Sequence, residues 1–200
     1  IYEMLDTLKT VPKIKRFYNL VSILGSGYIQ VGKFDIGPIF STLGYNDVEG
    51  QRVRFGGRTY FGPNDPWRIQ GYTAYGFKDD KVKYGINARV MLDKKNRFIV
   101  SLGNRRDVEQ IGVSLTTSND VLGRSFASSS FFSSGTNNKL TNVNLTNLGF
   151  EIEPVKNLVF ESSFSYRTLS SASSEFKLDY FTDNSYTTTS NKITQSEVNF

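Results

Sequence analysis

The chain has 200 residues, 24 Lys and Arg against 19 Asp and Glu, and a net charge of +5. It contains no cysteine and no histidine, which removes disulfides, thiolate metal sites, cysteine nucleophiles and any Ser-His triad, so neither catalysis nor a cofactor or metal is expected. Aromatic residues reach 14%, with 11 Tyr and 16 Phe, too many for a disordered chain, and the basic residues are dispersed rather than blocked, so nucleic acid is not an expected partner.

Residues 1–26 predict a helical lead-in. Ile1, Met4, Leu5 and Leu8 recur at helical spacing, Pro12 breaks the run, and Ile14, Phe17, Tyr18, Val21 and Leu24 form a second stripe. Lys13, Lys15 and Arg16 lie across from that stripe. Two readings stand: a helix packed on a core, or an interfacial helix beside a membrane. The opening lacks the basic start, apolar run and small-residue site of a signal peptide, and no run approaches the roughly 20 apolar residues of a spanning helix. Because the chain opens inside a helical pattern and stops inside a strand-like one, a segment of a longer protein is expected, continuing beyond residue 200.

After Gly25-Ser26-Gly27 the hydrophobic period becomes two. Strands are predicted at about 27–37, 48–61, 67–78, 81–93, 97–105, 108–116, 141–153, 156–169, 174–182 and 191–200, joined mostly by short polar turns, with a Ser/Asn-rich insertion over about 117–140. Residues 27–200 are therefore read as one antiparallel β meander. In 82–92, Val82, Tyr84, Ile86, Ala88, Val90 and Leu92 share one face, and Lys83, Gly85, Asn87, Arg89 and Met91 the other. Arg52, Arg54 and Arg58 share a face with Gly56, opposite Val53 and Phe55.

A soluble sandwich turns its apolar face inward, whereas a membrane barrel turns it outward to lipid. Strands near the 9 to 11 residues that cross a bilayer, aromatics toward strand ends and glycines on the charged face favour the barrel. The expected fold is all-β: an antiparallel transmembrane β-barrel, partial, with about eight to ten strands. Trp67, Tyr75, Phe77 and Tyr84 are the candidate membrane-interface aromatics. A soluble β-sandwich is the structural alternative.

"GYIQVGKF" at 27–34 approaches a phosphate-binding loop but has Phe34 where Ser or Thr should hold magnesium, and a strand where a helix should follow. "KDDK" at 78–81 reads as a two-residue hairpin turn at Asp79-Asp80, which would set Tyr75 opposite Tyr84. Stacked inward cations need acids or solvent. Arg52, Arg54, Arg58, Lys83, Arg89 and Glu109 form the candidate lumen charge cluster, Asp107 is a further candidate partner, and Glu49 falls on the opposite face by strand parity. A charge network filling a lumen is one reading; a surface that attracts anionic groups such as lipid headgroups or lipopolysaccharide is the other.

Several blocks carry a resemblance: residues 1–62, "GYTAYGFKDDKVKYG" at 71–85 and "NRRDVEQIG" at 104–112, with "YNDVEG" and "KDDKVKYG" the most telling. They resemble the Bacteroidota outer-membrane proteins in which a carboxypeptidase-regulatory-like β-sandwich precedes a C-terminal barrel of unknown function, similar in type to the surface-antigen or assembly-factor barrels. The resemblance implies a bacterial outer-membrane location with the N-terminal side periplasmic, and it brings no catalytic residues. The expected function is a non-enzymatic role in envelope biogenesis, or in assembly or export of outer-membrane components. A porin-like channel or transporter, or an accessory subunit of a larger outer-membrane complex, is the alternative. The expected partners are outer-membrane lipids, with lipopolysaccharide or other envelope proteins.

Overall fold

Period-two alternation becomes strand wherever the flanking residues can turn the chain. The computed structural model describes residues 12–59, 65–110, 139–173, 180–181, 183–185 and 189–200. Helix α1 (Pro12–Ser26) opens on its proline, a residue suited to a first helical turn because its missing N–H has no partner there anyway. Among the described residues twelve strands follow: β1 (Ile29–Val31), β2 (Phe34–Ile36), β3 (Leu43–Asn46), β4 (Gly50–Thr59), β5 (Trp67–Gly76), β6 (Lys81–Asp93), β7 (Phe98–Gln110), β8 (Leu140–Val155), β9 (Leu158–Ser171), β10 (Tyr180–Phe181), β11 (Thr189–Ser190) and β12 (Lys192–Asn199).

Ten strands form one sheet in the order β1-β2-β4-β5-β6-β7-β8-β9-β12, with β3 also paired to β4; β10 and β11 form a separate ladder. Every pairing is antiparallel. The fold is thus all-β and antiparallel, and β1 and β12 are the sheet's edges among the described residues. The upper end of the sheet carries the turn at 77–80 and the last residues of β7 and β9. The lower end carries the turns at 94–97 and 156–157.

Several strand boundaries differ from expectation. The predicted strand 27–37 is a hairpin, because Gly32 adopts φ +64 and reverses the chain between β1 and β2. The predicted pair 97–105 and 108–116 is one strand to Gln110: Arg106 and Asp107, the break between the two predicted strands, continue the ladder with β8. Residues 111–116, most of the predicted insertion, 174–179 and the first predicted helical stretch lie outside the described residues. The helix does not pack its stripe on a core: Ile14, Phe17, Val21 and Leu24 are all exposed.

The turn at 77–80 also differs. Four residues, Phe77 to Asp80, connect β5 to β6, so that Gly76 pairs with Lys81 and Tyr75 with Val82, not with Tyr84. Asp80 takes the left-handed conformation at φ 51, and the Asp79 carboxylate accepts the Lys81 N–H at 3.3 Å. The register moves by two, an even number, so Tyr75 and Tyr84 remain on the same face.

The sheet is inverted relative to a soluble one. On its polar face Glu49, Arg52, Lys83, Arg105, Asp107 and Glu109 are buried, Arg52 to 1% exposure. On the apolar face Val53, Phe55, Ile69, Val82, Ile86, Leu92, Leu102 and Phe160 are exposed, Phe55 to 64%. Side chains from β4 and β7, three strands apart, meet on the polar face, so the sheet curls toward that face. Small residues in between, Ala74, Gly76 and Gly85, leave room for long side chains laid across the strands.

Candidate functional site

The buried charge layer begins at a turn. Around Asp47 to Glu49 the side-chain oxygen of Asn46 accepts the N–H groups of Val48 at 3.1 Å and Glu49 at 2.7 Å, and Gly50 adopts φ +66. A Cβ at Gly50 would come within 2.9 Å of the Lys78 Cβ, so space as well as backbone conformation selects glycine. This turn swings Glu49 onto the polar face, fully buried beside Arg52. Alternation counts faces only along continuous strand, and parity therefore misplaced Glu49.

Arg52 is the hub. Its guanidinium donates to Asp107 Oδ1 at 2.7 Å and Oδ2 at 3.0 Å, in the two-pronged geometry that carboxylates accept best, and to Glu49 Oε2 at 2.9 Å. Lys83 Nζ bridges Glu49 Oε1 at 2.7 Å and Asp79 Oδ2 at 2.5 Å. The Tyr72 hydroxyl donates to Asp107 Oδ2 at 2.5 Å. Two glycines make this possible. A Cβ at Gly85 would sit 2.5 Å from Tyr72 Cε1, and one at Gly76 would sit 2.5 Å from Asp79 Oδ1 and 2.8 Å from the Glu49 Cβ.

The other predicted residues lie around this hub. Arg54 stacks over the Tyr72 ring at 3.7 Å from its centroid, a cation–π contact that joins it to the layer. Glu109 pairs with Arg105 at 2.5 Å, four residues back on the same strand. Arg58 bonds Asp35 at 3.0 Å and covers the Tyr28 ring at 3.9 Å, away from the hub. Arg89 is bonded to Glu151 lower on the polar face. Of the predicted six, Arg52 and Lys83 share the network directly, Arg54 adjoins it through Tyr72, and Glu109, Arg58 and Arg89 belong to separate pairs. Tyr72 and Arg105 were missed, although their positions follow the inward parity of Ala74 and Asp107.

Beside the layer, across from Asp107 and Arg105, the polar face holds a small apolar cluster of Val143, Leu145 and Leu169, with Ile193 against it. Below it lies an open depression of about 500 Å³, lined chiefly by amides, hydroxyls and charges. Among the described residues no group of three or more acids could hold a metal ion. Each carboxylate of the layer is engaged by a guanidinium, ammonium or hydroxyl, so the layer offers structure and closure in place of a poised proton acceptor.

The four predicted interface aromatics are exposed on the apolar face or at its rim. Tyr75 and Phe77 meet edge to face at 5.2 Å, and the Tyr75 hydroxyl donates to Asp80 at 3.0 Å. With Tyr84 they surround the upper turn, while Trp67 begins the same strand at the lower end.

Against known proteins, a family model described as "Family of unknown function (DUF5686) C-terminal domain" matches residues 25–200. No curated protein and no solved structure matches the chain.

Proposed function

The chain belongs to the family of unknown function DUF5686, as its C-terminal domain, and from that premise we propose that it is the membrane-embedded β-barrel part of a bacterial outer-membrane protein. Its role is non-catalytic, in envelope biogenesis or in the assembly or export of outer-membrane components. The observation that carries this reading is the inverted sheet. A contiguous exposed apolar face spread over several strands is a liability in water, while the same face is matched to hydrocarbon. Strands of 10 to 16 residues in β4 to β9 are long enough to cross. Strands cross as closed barrels because lipid cannot satisfy a sheet edge, and such barrels belong to outer membranes.

Short turns at 94–97 and 156–157, set against the long connection from Gln110 to Leu140 at the other end, support the lower end as the periplasmic one, since outer-membrane barrels combine short periplasmic turns with longer outer loops. The non-catalytic assignment rests on the missing histidine and cysteine and on carboxylates already committed to cations. The apolar face takes outer-membrane lipid as its partner, and the exposed loops and edges are the places for lipopolysaccharide or other envelope proteins.

Trp67 is the single tryptophan of the chain, so its fluorescence reports one position. In vesicles containing lipids brominated near the headgroup, its emission should fall by half or more. Lipids brominated at the chain terminus should quench it less. Emission indifferent to bromine, or recovery of the protein from the soluble fraction without detergent, would sink the membrane reading. The cellular role is tested by depletion: unchanged envelope protein and lipid composition would remove biogenesis from consideration.

A further inference from the structure

The lower half of the polar face carries an arrangement of charge that stability does not explain. Arg68 on β5 and Arg89 on β6 are direct cross-strand partners, and so are Glu151 on β8 and Glu161 on β9. Like charges set opposite each other on one face destabilise a sheet. The two inner members cancel, because Arg89 is bonded to Glu151, which Arg97 also approaches at 4.0 Å. The two outer members do not: among the described residues Arg68 and Glu161 make no ion pair. Both line the open depression of about 500 Å³, a size ordinary for small-molecule sites, from opposite walls. Between them lie the mutually paired Arg89 and Glu151, the apolar Ile99, and the hydrogen-bonding Gln70, Asn87, Asn147 and Ser163.

We propose that this depression is a binding vestibule for a small dipolar solute of the short zwitterionic peptide class, its carboxylate on Arg68 and its ammonium on Glu161. The guanidinium offers a planar pair of donors to the carboxylate, and the Glu161 carboxylate accepts from the ammonium. The amides between them match a peptide backbone, each able to donate and to accept. The buried layer of Arg52, Lys83 and Asp107 lies farther up the same face and does not line the depression, so the solute enters from the lower end. The proposal rests on reading the polar face as the lumen side.

The absence of cysteine in the chain lets one introduced thiol report one position. In this chain in detergent, Asn87→Cys should react readily with a small charged methanethiosulfonate, and Ala74→Cys, buried at 2% exposure beside the charge layer, at least 100-fold more slowly. Tri-alanine at 10 mM should slow labelling of Asn87→Cys at least threefold, while its N-acetylated, C-amidated form should not. Arg68→Gln and Glu161→Gln should each abolish that protection. If Asn87→Cys fails to fold, Ser101→Cys on the neighbouring strand serves the same purpose. Equal protection by the capped peptide, or none by tri-alanine, overturns the ligand assignment. Rapid labelling of Ala74→Cys overturns entry from the lower end alone. These readouts are taken in detergent and do not depend on bilayer location, so their failure is distinct from failure of the Trp67 test.

Discussion

Removing Arg52 should cost far more than removing Glu49, although the two are bonded to each other and equally buried. With Arg52→Ala, Asp107 keeps only the Tyr72 hydroxyl and the Val108 N–H, and Glu49 and Asp79 are left sharing Lys83. With Glu49→Gln, by contrast, Arg52 retains Asp107 and Lys83 retains Asp79. A unit pair about 4 Å apart is worth about 4 kcal/mol at an effective dielectric of about 20. Stranding a buried charge by deleting its partner typically costs about 3–5 kcal/mol. We therefore expect about 3–5 kcal/mol for Arg52→Ala and about 1 kcal/mol for Glu49→Gln, which keeps its shape and one acceptor oxygen. Urea unfolding in detergent, followed by Trp67 emission, measures both. Equal costs, or a larger one for Glu49→Gln, would refute the assignment of Arg52 as hub.

Other expectations concern the two faces. Ile86 is exposed at mid-strand, so Ile86→Arg should cost about 2–4 kcal/mol and impair insertion if the face meets lipid. A soluble sheet would tolerate the same change, and a neutral result in folding yield from lipid vesicles would count against the barrel. Gly85→Ala should cost about 1–3 kcal/mol, because its Cβ would lie 2.5 Å from the Tyr72 ring; paired with Tyr72→Ala it should add little further loss. If Gly85→Ala is silent in urea unfolding, the glycine is not the seat of Tyr72.

The meander from β4 to β9 was legible because period-two alternation there is long and its turns are short. Faces were legible for the same reason: Arg52, Arg54, Lys83 and Arg89 were placed on the charged face by parity alone. What failed lay at discontinuities. Glu49 crosses to the polar face through the left-handed Gly50, and no parity rule extends over such a turn. The predicted break at 106–107 fell in the charged run Arg105, Arg106 and Asp107. Here Arg105 and Asp107 face the buried side and Arg106 the other, so the run is strand after all. The register at 77–80 depends on Asp79 and Asp80 each recruiting a neighbour, which residue identity permits without dictating. That Arg52 would choose Asp107 among the acids is a matter of sheet curl, which a linear pattern does not contain.

The bond between Arg52 and Asp107 joins positions 55 apart in the chain, whereas each hairpin it spans closes over a few residues. Hairpins form early because their ends are near, and a clasp across three of them has nothing to hold until all are in place. The charge layer is thus a late event in folding and an early one in unfolding. Its loss should show as faster opening of the finished sheet with little change in the rate of assembly. Such a clasp sets the lifetime of the folded sheet more than it sets the yield of folding.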